Sequence, residues 1–301
     1  MSLTGIGQEK SDSFFSFTMR EDVRLSFDSP ANFSNHKKTI LILYALPNGN
    51  TTEQTMGKKM QASDDWHFDI QHILAQTKFI RKQLPGDNIV VVYLENNLRS
   101  WPAWKQQHPD HLQLIRQIVD TIYQLVHAKQ KEIYLNGHSG GGSFIFGFLA
   151  GVDKIPAYLK RISFLDSDYN YDSSYYPKIK DWLRRIKGSH LTVFAYNDSV
   201  AIYNGKPVVS ATGGTWYRSH LMMNDLSKVF SFFKMRKDSI TSYESRNKQV
   251  GFFLKENPNG GIYHTQLVEL NGFIHSVLFG TKKESQGYSY YGPRAYSNFI
   301  Q

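Results

Sequence analysis

The sequence predicts an α/β fold: a mostly parallel sheet covered by helices on both faces. Three observations carry this. Apolar runs of strand length at 39–46 (TILILYAL), 89–94 (IVVVYL) and 191–196 (LTVFAY) lack the polar alternation of a half-wet strand. Segments with apolar residues at helical spacing fall between such runs. Strand–helix alternation of this kind demands crossover connections, and so parallel neighbours.

Residues 14–19 and 23–27 are β-rich, and Asp28-Ser29-Pro30 closes the second with turn chemistry, so the pair reads as an antiparallel edge. After the strand at 39–46, residues 66–84 show helical spacing (Phe68, Ile73, Leu74, Ile80, Leu84) and stop at Pro85-Gly86. The strand at 89–94 follows. Residues 111–128 are amphipathic, with Leu112, Ile115, Val119, Ile122 and Val126 on one face. A short strand is expected at 133–135, a buried helix at 143–149, a strand at 162–165, a helix at 175–186 and a strand at 191–196. The aromatic-rich stretch 215–233 is expected to be helical. Residues 249–255 and 266–270 read as strands joined by Asn257-Pro258-Asn259-Gly260, and the tyrosine-rich last 20 residues show no period. No repeat or linker divides the chain.

The 301 residues are 41% hydrophobic, 20% charged and 14% aromatic, which excludes a disordered chain, a coiled coil and a collagen-like fibre. A chain this long buries roughly three quarters of its unfolded surface, enough for a substantial core. No apolar run reaches the ~18 residues of a membrane span. The absence of cysteine removes disulfides, thiolate metal sites and cysteine nucleophiles. The net charge of +9 is spread over pairs such as Lys37-Lys38, Arg184-Arg185 and Lys282-Lys283. With no zinc-finger, RRM or helix-turn-helix signature, a solvated basic face is expected and no nucleic-acid partner. The opening Met1-Ser2-Leu3 and the polar stretch after it read as a tag-derived start. That suggests a trimmed, exported chain, periplasmic or extracellular, with a cytoplasmic one as the alternative.

The chemistry concentrates in one motif. Gly137-His138-Ser139-Gly140-Gly141 fits G-x-S-x-G, between a strand and an apolar helix. A sharp turn there projects a serine hydroxyl above the strand ends, and glycines two before and two after leave it room. A Rossmann fingerprint fails because Ser139 occupies its second glycine position, and no Gly-Lys-Ser/Thr occurs for a Walker A loop. A serine that merely caps a helix is the alternative. The agreement of strand, elbow and a late histidine favours a nucleophile.

These residues resemble the α/β-hydrolase family over roughly 39–280. The resemblance implies the order serine, acid, histidine: Ser139 as nucleophile and His275, in Gly272-Phe273-Ile274-His275-Ser276, as general base. His264 precedes the strand expected at 266–270, which puts it at the wrong end of a parallel sheet, and His220 falls within an expected helix. Asp198, after the strand at 191–196, is the first choice of acid. Asp166, after the strand at 162–165, is the second. Gly140 would donate one oxyanion N–H, and Asn48 or Gly49 the other, since Pro47 has none. His138, Trp216 and Arg218 are candidate substrate-binding residues, with Arg218 able to pair with a carboxylate. His138 has a structural role at the elbow as its alternative.

The expectation is therefore a single α/β-hydrolase domain over 14–301, with a disordered or tag-derived 1–13 and a small cap or rim insertion around 199–260. Its activity would be hydrolysis of an ester through an acyl-enzyme. A peptidase or amidase is the runner-up, and a non-catalytic binding protein of the same fold the rival. No metal and no organic cofactor is expected. The substrate would be a small-molecule, carbohydrate or peptide ester or amide, with the oligomeric state open.

Overall fold

The computed structural model describes residues 12–301, so most of the expected N-terminal tail lies outside the described residues; Ser13 already belongs to a strand. Strands β1 (Ser13–Met19) and β2 (Val23–Ser29) pair antiparallel, with Phe15 opposite Phe27 and Phe17 opposite Leu25. The order continues β3 (Lys38–Ala45), α1 (Thr52–Met56), α2 (Ile73–Gln83), β4 (Asn88–Asn96), α3 (Trp101–Gln107), α4 (His111–Leu125), β5 (Gln130–His138), α5 (Gly142–Gly151), β6 (Leu159–Leu165), α6 (Tyr176–Arg185) and β7 (His190–Tyr196). Then come β8 (Ile202–Tyr203), β9 (Lys206–Pro207), α7 (Thr215–Leu226), β10 (Phe232–Lys237), β11 (Ile240–Ser245), β12 (Val250–Lys255), α8 (Gln266–Glu269) and α9 (Gly272–Leu278).

Ten strands form one sheet in the order β1-β2-β4-β3-β5-β6-β7-β12-β11-β10. The six from β4 to β12 run parallel, β1 and β2 cap one edge antiparallel, and β11 and β10 extend the other as an antiparallel meander. Hairpin β8–β9 stands apart from this sheet.

The continuous apolar runs are explained by burial on both faces. Leu41, Leu43 and Ala45 of β3 join one core with Trp101, Trp104, Ile115, Phe144 and Trp182 from α3–α6. Ile40, Ile42 and Tyr44, the alternate residues, join the other core with Ile73, Phe79, Phe273 and Ile274 from α2 and α9. Among the described residues no helix is long and apolar enough to cross a membrane.

Three element expectations are corrected. The helix expected over 66–84 is a short 3-10 turn, Trp66–Asp69, followed by α2. His72 takes φ +49 between them, a left-handed residue that no α-helix continues through. The helix expected over 215–233 ends with α7 at Leu226, and Phe232 begins an edge strand whose Phe233 and Met235 are exposed. Residues 266–269 are helical, and Leu270 ends the turn. β12 already completes the parallel set against β7, and the adjacent Leu267 and Val268 are both buried, which a strand with one covered face would not give.

Candidate active site

The parallel strands leave a crevice where their order reverses. β3 has β4 on one side and β5 on the other, so connections depart in opposite directions beyond the carboxyl ends of β3 and β5. Ser139 follows β5 and Asn48 lies three residues after β3, so the two flank this crevice.

Ser139 takes φ +53, in the left-handed region that a residue with a Cβ rarely adopts. The surroundings hold it there. β5 turns directly into a 3-10 turn, Ser139–Gly141, and then into α5; a Cβ on Gly137 would stand 2.9 Å from the Gly141 carbonyl. The serine is left half-buried while His138 beside it is fully buried. The Asn48 side chain covers Gly140. Gly49 gives its N–H to the Arg99 carbonyl at 2.8 Å, whereas the Asn48 N–H meets no backbone acceptor among the described residues.

The histidine facing a carboxylate in this region is His264. It lies in the loop after β12, nine residues past Lys255, and its Nδ1 is 2.5 Å from Asp166 Oδ2. Asp166 directly follows β6 with φ +46 and is fully buried. Its other oxygen accepts from the Thr215 hydroxyl. An imidazole bonded to a carboxylate through Nδ1 carries its hydrogen there, which leaves Nε2 as the basic nitrogen. His264 is 24% exposed at its side chain, so that nitrogen is reachable from solvent-facing space.

His138, a candidate substrate contact, faces the His264 loop. It is buried beneath His264, with ring centroids 4.5 Å apart, and its Nε2 donates to the His264 carbonyl at 3.3 Å. Burial, then the neighbouring His264, hold it well below the usual imidazole range, so it is a neutral shelf under the loop.

His275, expected as the base, is elsewhere. It sits inside α9, 4% exposed, with Nδ1 2.9 Å from the Tyr288 hydroxyl and, among the described residues, no partner on Nε2. The rings of Phe253 and Tyr290 pack on it at 4.5 and 5.2 Å. Burial pushes its pKa down to about 3. It borders a separate cavity of about 500 Å³ whose walls include Glu244, Lys248 and Phe253 but none of Ser139, Asp166 or His264. The misplacement follows from reading 266–270 as a strand. With those residues helical, β12 is the last strand and His264 leaves its carboxyl end, the same end as Ser139.

Asp198, the first choice of acid, meets no histidine. Its Oδ2 accepts the Thr215 N–H at 2.8 Å and its Oδ1 the Trp216 N–H at 3.3 Å, at the start of α7. Burial, with the charge of Asp166 adding, pushes its pKa up to about 6 against the pull of these N–H groups. Trp216 turns its ring toward His220 at 4.6 Å. Arg218 gives an N–H to the Tyr171 carbonyl at 2.9 Å, so it is tied to the loop after β6 instead of standing free for a substrate carboxylate. Sequence reasoning named His264 but set it aside because the residues of α8 read as a strand, and nothing in the spacing marked Thr215.

No protein-family model and no curated protein sequence matches the chain. Solved structures do. A thermostable esterase superposes with a TM-score of 0.52 at 14% identity, over 90% of this chain; this chain spans 64% of that esterase's length. The feruloyl esterase module from Clostridium thermocellum, complexed with sinapinate, gives 0.55 at 11% identity, over 93% of this chain and 92% of that one. Strand order, the turn after β5 and these superpositions agree: the chain has the α/β-hydrolase fold.

Proposed function

We propose that the chain is a serine hydrolase that cleaves an ester through an acyl-enzyme. Ser139 Oγ attacks the carbonyl carbon while its proton passes to His264 Nε2, and the imidazolium that forms is held by the Asp166 carboxylate. The carbonyl oxygen becomes an oxyanion, which the backbone N–H groups of Gly140 and Asn48 receive. His264 returns the proton to the leaving alkoxide as the carbon–oxygen bond breaks. Water then repeats the sequence on the acyl-enzyme: His264 takes its proton, the hydroxide adds, and Ser139 leaves with that proton.

The observation that carries this reading is the Asp166–His264 contact, made at the same end of the sheet as a serine held at φ +53. Its support for an ester over an amide is the company of two esterases among the superposed structures. A serine-directed fluorophosphonate, followed by nitrophenyl esters of increasing acyl length, tests it. Labelling and ester turnover that both vanish in Ser139→Ala are expected; turnover that survives in this variant contradicts it.

A further inference from the structure

We propose that Thr215 and Asp198 are positioning residues for this reaction, a hydroxyl and a second carboxylate that together hold Asp166 in place on His264. The inference rests on the reading of Ser139, His264 and Asp166 just given.

The Thr215 hydroxyl stands between two carboxylates. Its Oγ1 contacts Asp166 Oδ1 and lies 3.3 Å from Asp198 Oδ2. A hydroxyl has one hydrogen, and the closer contact takes it. Thr215 therefore donates to Asp166, on the oxygen opposite the one that His264 uses. Thr215 in turn is fixed from outside. Gly214 precedes α7 without a side-chain cap, and Asp198 supplies the missing acceptor from the end of β7, receiving the N–H groups of Thr215 and Trp216. A Cβ on Gly214 would lie 2.3 Å from Asp198 Oδ1, so this approach requires glycine. All three residues of the chain Asp198–Thr215–Asp166 are at most 2% exposed.

A capping residue has no need of a second carboxylate beside it. Placing Asp198 next to Asp166 in a water-excluded site disfavours the doubly ionised state. The groups facing Asp198 are Asp166, Asp168, Tyr169 and Tyr196, with no cation among them. A proton on Asp198, favoured there by burial and by the charge of Asp166, completes one run of donors. Asp198 Oδ2–H donates to Thr215 Oγ1, Thr215 to Asp166, and His264 Nδ1–H to the other oxygen of Asp166.

The test is the rate of fluorophosphonate labelling at Ser139 in Thr215→Val, Thr215→Ser, Asp198→Asn and Asp166→Asn, with thermal unfolding of each. Thr215→Val keeps the shape and loses the hydroxyl; a roughly 10-fold slower labelling is expected, restored to within about twofold in Thr215→Ser. Asp198→Asn keeps the shape but leaves one acceptor oxygen for two backbone N–H groups, so Thr215 is held less firmly. Its labelling should be slower than the parent's by about fivefold, a smaller loss than in Asp166→Asn. A loss in Thr215→Val that serine does not restore is packing alone and overturns the inference, and so does parental labelling in a folded Asp198→Asn. If Asp166→Asn abolishes labelling while the Thr215 and Asp198 variants behave as the parent, only this inference fails. If Asp166→Asn labels normally, the parent reading itself has failed. Should Thr215→Val not fold, the Asp198→Asn rate decides.

Discussion

His264 Nδ1 and Asp166 Oδ2 stand 2.5 Å apart across 98 residues of sequence. One comes from the loop after β12 and the other from the end of β6, and β7 runs between these strands in the sheet. The buried carboxylate fixes both the tilt and the tautomer of the imidazole, while the His138 ring and its bond to the His264 carbonyl support the loop from below. The chemistry proposed for this chain depends on that pair more than on any other contact.

Asp166→Asn should therefore be severe. An amide in that position presents either an N–H to Nδ1 or the wrong tautomer to the serine, and in serine proteases the corresponding change costs about 10⁴ in kcat. Ester turnover by the purified variant checks this. A loss of less than tenfold would remove Asp166 from the orienting role.

His275→Gln should leave ester turnover within about twofold of the parent and alter acid stability instead. Folding holds the His275 pKa at about 3, against an ordinary 6.5. The unfolded chain thus binds a proton between those values that the folded chain refuses, and stability drains away as the pH falls through that window. Urea midpoints should drop less steeply from pH 6.5 to 4 in the variant than in the parent. Equal slopes would show that His275 does not act in this way.

Asp198 has the opposite sign. Its folded pKa of about 6 lies above the ordinary 3.8, so the folded chain keeps a proton that the unfolded one releases. Its ionisation weakens the fold as the pH rises from about 4 to 6. Compared with Asp198→Asn, the parent should lose ground between pH 4 and pH 7. A difference in urea midpoints that stays constant over that range would contradict the burial argument.

Much of the architecture was legible from residue pattern. The run at 39–46 reads as a strand buried on both faces because its alternate residues do face two different cores, and the G-x-S-x-G turn could be found because a strand, a glycine-relieved bend and an apolar helix each leave a local signature. The histidine was not legible for an equally physical reason. Gln266–Glu269 is one helical turn with two adjacent apolar residues, too short for a helical period to separate it from a strand. That single exchange reversed which end of the sheet His264 appeared to occupy. Thr215 was invisible for another reason: its importance lies in contacts with Asp166 and Asp198, 49 and 17 residues away, which no spacing encodes. Strand β10 carries exposed aromatic and charged residues and β11 buried polar ones such as Thr241 and Glu244, so both lacked the apolar runs that marked the central strands.

The central claim is that Ser139 is activated by His264 and not by His275. Intact-mass measurement after a short exposure to a fluorophosphonate, with the modified peptide sequenced, tests it in one series of parent, His264→Gln and His275→Gln. The account predicts one adduct, on Ser139, in the parent and in His275→Gln, and little or none in His264→Gln over the same time. Prompt labelling of Ser139 in His264→Gln, with loss of labelling in a folded His275→Gln, would contradict it.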